Sequence, residues 1–223
     1  MANETQAQTL DETLNKTDLG HVINENKKPI MIAGVIVVLA VIAISIYKNQ
    51  SNKQESAMLD QAYAVQSNII EPFTKGDMNS DEAVKELLNV KSELVGNPNL
   101  VPAVLGVTQK LLDENKGAEA AQILEKWLGE YTAGTQMYLF LGTKLAPVYE
   151  DLGQQDKAIE IYESLVGANY EVLEAKNYLE LGRLHLAKGN AEKAQSFLDH
   201  VVKNHENTEY AKYARLYLQQ IKK

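Results

Sequence analysis

Residues Ile30 to Tyr47 read IMIAGVIVVLAVIAISIY, an apolar run with no charge and no strongly polar side chain. A helix rises about 1.5 Å per residue, so a run of roughly 18 residues approaches the ~30 Å hydrocarbon layer of a bilayer. Lys27 and Lys28 precede the run and Lys48 follows it, which places charged side chains within reach of both headgroup layers. Pro29 stands where a first helical residue loses nothing, because the N–H it lacks would be unpaired there. A cleaved secretory signal has a shorter apolar core and a small-residue cleavage site beyond it. Here Ala43-Ile44-Ser45, a weak cleavage candidate, lies inside the run, and a long polar stretch comes before it. A buried helix of a soluble domain normally keeps a polar face, and this segment has none. The expectation is an uncleaved, single-pass transmembrane helix over 29–47.

Lys16, Lys27 and Lys28 lie before the span, and Lys48 and Lys53 follow it. This narrow positive-inside bias points to a cytoplasmic N-terminus, and a large C-terminal domain can be exported whatever its charge. Residues 1–28 are polar and net acidic, with Leu10, Leu14 and Val22 scattered among them. They read as a mostly disordered cytoplasmic tail; folding of the Leu10/Leu14 face on a partner is the alternative.

After the span, Leu, Ala, Glu, Lys and Gln dominate and strand-type alternation is hard to find, so residues 48–223 favour helix. The formal net charge is −8, and the two arginines are Arg183 and Arg215. That balance excludes a nucleic-acid binder, whose affinity rests on basic side chains neutralising phosphates. The absence of cysteine removes disulfides, thiolate chemistry and Cys-ligated zinc.

The soluble part carries a recurring signature: an alanine, then Leu or Tyr four residues on, then a larger apolar residue at seven. It occurs as Ala83/Leu87/Val90, Ala120/Leu124/Trp127, Ala158/Tyr162/Leu165 and Ala194/Leu198/Val201. Offsets of four and seven put all three side chains on one helical face. The small alanine lets a neighbouring helix approach while the larger pair fills the groove beside it. The alanines recur at the spacing of helical-hairpin repeats. Two units also show the preceding helix, as Gly142, Leu145, Ala146 and Tyr149 ending at Gly153, and Tyr178, Leu181, Gly182 and His185 ending at Gly189. This first-helix pattern resembles that of tetratricopeptide repeats; in the earlier two units mainly the second helices match. Glu209 to Ile221 reads as a capping helix, with Tyr210, Ala214, Tyr217, Leu218 and Ile221 on one side. The expected fold is all-α: one transmembrane helix, then an α-solenoid of about four tetratricopeptide-like hairpins and a C-terminal cap. Between span and array, Met58, Ala62, Ile69 and Ile70 allow a continuous helix ending near Pro72 and Gly76, while Ser51 to Gln54 equally allow a hinge.

Signs of catalysis are missing from the pattern. His200 and His205 are five apart, not the four that set two ligands side by side on a helix. His185 occupies the aromatic slot of its repeat and reads as a packed histidine, and His21 lies in the tail. Neither a phosphate-binding glycine loop nor a nucleophile elbow is present. The acidic pairs Asp81-Glu82, Asp113-Glu114 and Glu150-Asp151 read as solvated surface charge at helix ends. We therefore expect no catalytic, cofactor or metal residues. Tyrosine is enriched, eleven against three Phe. In the array these tyrosines read as packing positions with hydroxyls reaching solvent, a minority being available to a peptide-binding surface. The sequons at Asn15 and Asn49 carry no weight, and Gly34 lacks a small partner four residues away.

The tetratricopeptide resemblance implies a groove side carrying Phe140, Thr143, Lys144, Pro147, Lys176, Leu179, Glu180 and Arg183. Of these, Phe140, Lys144, Lys176 and Arg183 are the candidate protein-binding residues. It also implies that the clamp by which some such domains hold a chaperone's C-terminal carboxylate is missing, since Thr143, Pro147 and Leu179 occupy its places. In layout, and in the Asn26 to Lys28 approach to the span, the helix around Ala57 to Gln66 and the Leu111 to Ala121 turn, the chain resembles the bacterial ancillary Sec-translocon subunit (YfgM-like) family. That resemblance implies a non-enzymatic inner-membrane adaptor with a periplasmic domain, assisting exported proteins at the Sec translocon with periplasmic chaperones. The alternatives are a self-associating envelope or cell-division scaffold and a diverged enzyme. Expected partners are the lipid bilayer and other proteins, with no nucleic acid; the oligomeric state stays open.

Overall fold

The computed structural model describes residues 27–221, and among these all regular structure is helical. The expectations for residues 1–26, including the Leu10/Leu14 face, His21 and the Asn15 sequon, lie outside the described residues. The chain divides into two units between Ala57 and Met58.

The first helix, α1, spans Lys27–Val65, so Ser51 and Lys53 are helical. Its stretch after Met31 is long and apolar enough to cross a membrane by length and composition. Met31, Ile32, Val35, Ile36, Val38, Leu39, Val41 and Ile44 are all more than half exposed. So much uncovered aliphatic surface along one helix is not the pattern of a soluble core.

The second unit is a succession of antiparallel helix pairs. A π-helical turn, Gln66–Ile70, follows α1 and leads into α2 (Glu71–Lys75), and the two together form the first arm of a hairpin with α3 (Ser80–Leu88), the turn making the contact to α3. A short α4 (Ser92–Val95) and a 3₁₀ turn (Pro98–Leu100) bridge to α5 (Val101–Asp113) and its partner α6 (Gly117–Leu128). Then come α7 (Gln136–Asp151) with α8 (Gln155–Gly167), α9 (Glu174–Ala187) with α10 (Ala191–Asn204), and the closing α11 (Glu209–Ile221).

The alanine signature is the spine of this stack. Ala83, Ala120, Ala158 and Ala194 sit on α3, α6, α8 and α10, and none exposes measurable surface. Leu87, Leu124, Trp127, Tyr162, Leu165, Leu198 and Val201 beside them are equally sealed. Full burial of one aliphatic side chain contributes about 1.5–3 kcal/mol, so each of these positions adds substantially to the stability of the stack.

All four pairs turn in the same way. Each first helix ends at a residue with positive φ: Gly76 (89°), Asn115 (59°), Gly153 (72°) and Gly189 (77°). The next residue's N–H reaches back five positions, as in Asp77 to Pro72 O (2.8 Å), Lys116 to Leu111 O (2.8 Å), Gln154 to Tyr149 O (2.7 Å) and Asn190 to His185 O (2.8 Å). This is a Schellman closure, and asparagine is the side chain that tolerates it best after glycine. The earlier units, degenerate in sequence, therefore share the hairpin geometry of the later two.

Two apolar cores result. One runs from Ala62 through Leu184; the other joins Ala175, Leu179, Leu198 and Val201 to Ala211 and Ala214 of α11. Tyr210, Tyr217, Leu218 and Ile221 pack against the second core half-buried, which is the capping role expected of residues 209–221.

Candidate functional site

The first helices α5, α7 and α9 lie side by side and line an open hollow of about 440 Å³. Leu105, Gly106 and Gln109 come from α5, Phe140, Thr143 and Lys144 from α7, and Leu173 and Lys176 from the start of α9. Phe140 is 49% exposed, although a phenyl ring of this kind is normally covered. Lys144 donates to the Gln109 side-chain oxygen, which draws the rims of α5 and α7 together. Leu173 takes a left-handed conformation, φ 67°, as the cap before α9. The hollow thus offers an aromatic face, an apolar floor and two ammonium groups.

The remaining groove-side residues behave differently. Thr143 Oγ1 donates to its own helix at Leu139 O (2.7 Å), which engages its proton, and Leu179 is buried. Arg183 stands seven residues along α9 from Lys176 and donates to Glu180 (2.7 Å) and to Glu150 of α7. Burial works against its charge, but the hydrogen bonds to Glu150 and Glu180 outweigh it and raise its pKa. Its guanidinium is a strut between α7 and α9. Burial, together with Glu180 and Glu150, pushes the nearby Tyr162 phenol well above its usual range.

A ladder of polar contacts joins each pair to the next at about one repeat length. Lys110 donates to Phe73 O (2.6 Å) with its ammonium 4.6 Å from the Phe73 ring centre, and Lys126 donates to Leu88 O and to Val90 O (2.6 Å). Lys126 supplies a donor to carbonyls at and just beyond the end of α3, while Lys110 adds a second donor to Phe73 O, which also accepts from Gly76 N (3.1 Å). Burial lowers the Lys126 pKa. Tyrosine hydroxyls add to the ladder, Tyr149 donating to Glu125 of α6 and Tyr170 bridging Gly134 N (2.7 Å) and Thr135 O (2.8 Å), while Tyr138 meets Ser164 Oγ (2.7 Å) within the α7/α8 pair. The expectation that such hydroxyls reach solvent is corrected for Tyr138 and Tyr149, whose phenols find side-chain partners on the adjacent helix.

His185 is 3% exposed and stacks on Phe197, with ring centres 5.5 Å apart and planes at 9°. Burial lowers its pKa, Lys193 and Lys188 add to that, and Glu163 opposes it. It is a core residue, as its place in the repeat implied.

His200 and His205 are brought together after all. Helix α10 ends at Asn204, so His205 (φ −131°) leaves the helical path and the five-residue spacing no longer separates the rings. Glu174, in the first turn of α9, receives both: its carboxylate oxygens lie 3.0 Å from His200 Nε2 and 3.4 Å from His205 Nε2. No spacing rule joins Glu174 to residues more than two dozen positions away, so this trio was invisible without the helix pairing.

No family model matches the chain, and no curated protein matches it. Solved structures do. A tetratricopeptide repeat protein from Parabacteroides merdae is 18% identical with a TM-score of 0.54, the match covering 73% of this chain and 60% of that one. This chain thus spans about three fifths of that protein's length. A Podosopora anserina chain of nearly identical TPR-like repeats is 17% identical with a TM-score of 0.51, covering 72% of this chain and 84% of that one. At such identities the likeness concerns backbone architecture: the helical pairs from α2 onward form a tetratricopeptide-like stack.

Proposed function

We propose that this protein is a membrane-anchored, non-enzymatic scaffold that binds other proteins through the hollow across α5, α7 and α9. The observation that carries the reading is the exposed Phe140 ring flanked by Lys144 on α7 and Lys176 on α9, over a floor completed by Leu105 of α5. Stacked hairpins offer such surfaces to extended polypeptide, and a rigid aromatic with nearby cations suits a segment carrying apolar and acidic side chains. Arg183, engaged by Glu150 and Glu180, shapes the far end of that surface. The apolar part of α1 anchors the chain in the bacterial inner membrane, N-terminus in the cytoplasm and helical stack in the periplasm. The resemblance in layout to ancillary Sec-translocon subunits supports an adaptor that handles exported proteins beside the translocon with periplasmic chaperones.

Photo-cross-linking from Phe140 and Lys176 in intact cells is the test. Capture of translocon subunits, exported chains or chaperones, weakened by Lys144→Glu and Lys176→Glu, supports the reading. Capture of nothing, or only of a second copy of this chain, would replace the adaptor by a self-associating envelope scaffold or remove the groove from its function.

A further inference from the structure

We propose that Glu174, His200 and His205 form a binding site for a zinc-class divalent ion at the end of the stack. One ligand atom from each lies within 4.8 Å of the others, a cluster drawn from α9, α10 and the turn into α11. Zinc bonds of about 2.0–2.2 Å in tetrahedral array set neighbouring ligand atoms roughly 3.2–3.6 Å apart. Glu174 already places Oε1 3.0 Å from His200 Nε2 and Oε2 3.4 Å from His205 Nε2. Two imidazoles with one carboxylate make a set for zinc, nickel or copper rather than for magnesium or calcium, which take oxygen shells.

Three further features point to an ion rather than to a plain hydrogen-bonded trio. His205 Nε2 is buried and lacks a hydrogen-bond partner, its approach to Glu174 being too long for a good one. The His200 ring is fixed by stacking on Tyr178, with ring centres 3.7 Å apart and planes at 6°. Tyr178 lies one turn after Glu174 on α9, so one helix face presents both the carboxylate and the platform. The Asn204 amide lies 3.1 Å from both His200 Nδ1 and His200 Nε2, a second group that holds this ring in place beside Tyr178. Three protein ligands leave a fourth position for water or for a partner's side chain.

The ion would tie the start of α9 to the end of α10 and to the turn before α11, bracing the small second core. The test uses the full-length chain in detergent micelles, stripped with chelator and then dialysed against zinc. One tightly held zinc per chain is expected, together with a higher unfolding temperature that magnesium does not produce. Glu174→Gln and His200→Gln should each weaken binding by more than the about 10- to 100-fold typical of outer-shell losses. His21→Gln should leave it unchanged. Nitrogen-15 histidine spectra of the unaltered protein give an answer that no folding defect can obscure. Zinc should shift the Nε2 resonances of His200 and His205 and spare those of His21 and His185. Equal zinc content in the altered and unaltered chains, no retained zinc, or unshifted His200 and His205 resonances would each overturn the site.

Discussion

A Cβ built on Gly182 of α9 would stand 2.6 Å from both Cγ and Cδ2 of Leu198 on α10. Only hydrogen fits at that crossing, so the helices meet at the closest point of the last pair. Gly182→Ala must push Leu198 off its rotamer or part the helices, and a loss of about 1–3 kcal/mol is expected. Gly106, within α5, has no atom within 4 Å of its would-be Cβ and no positive φ, so Gly106→Ala should add about 0.5–1 kcal/mol. Urea titration followed by helix signal checks the pair, and equal effects would contradict the packing.

His185 makes the stack sensitive to mild acid. Burial depresses its folded pKa below the ordinary 6.5, so the unfolded chain takes up the proton first as pH falls. Its contribution is intact above about pH 6.5 and declines below that, levelling off once the folded state also protonates. His185→Phe retains an aromatic in the slot against Phe197. It should flatten the part of the stability profile that falls away below about pH 6.5; an unchanged profile would exclude His185 as its source.

Lys126 holds the carbonyls of Leu88, the last residue of α3, and of Val90 beyond it. Lys126→Met keeps the apolar stem and removes the donors, leaving both acceptors short of a partner. A cost of about 1–3 kcal/mol is expected. Faster amide exchange confined to α3 and its flanking turn would locate the effect; exchange changes spread evenly over the stack would contradict it.

Leu39 lies midway along the apolar part of α1 and is 59% exposed. In a membrane span, arginine at this depth costs about 2.5–3.5 kcal/mol of insertion. Leu39→Arg should therefore increase release from membranes by alkaline carbonate, whereas the unaltered chain stays in the pellet. Release of the unaltered chain would remove the anchor.

The repeat was legible in the sequence because packing of paired helices demands a small residue and two large ones at fixed offsets. That demand is local, and Ala83, Ala120, Ala158 and Ala194 display it openly. The hairpin turns were legible where glycine marks positive φ, at Gly153 and Gly189. At Asn115 no glycine marks the positive φ, and the turn was read there from the Leu111 to Ala121 stretch instead.

The groove was only half legible. Repeat alignment named Phe140, Lys144 and Lys176, which do line the hollow. It also named Arg183, and only the folded chain reveals Glu150 and Glu180 gripping that guanidinium. The tyrosine ladder was equally hidden: a hydroxyl's partner one repeat away depends on how far adjacent pairs are offset.

By itself the sequence determined the helical class, the apolar segment, the order of the pairs and the closing helix. Each follows from periodicity and from the cost of leaving backbone or apolar surface in the wrong medium. Only tertiary structure decided which distant side chains meet. Glu174 reaches His200 and His205 because α9 and α10 run antiparallel and α10 stops at Asn204. Such meetings depend on crossing geometry and on where a helix ends, quantities that residue spacing along the chain does not encode.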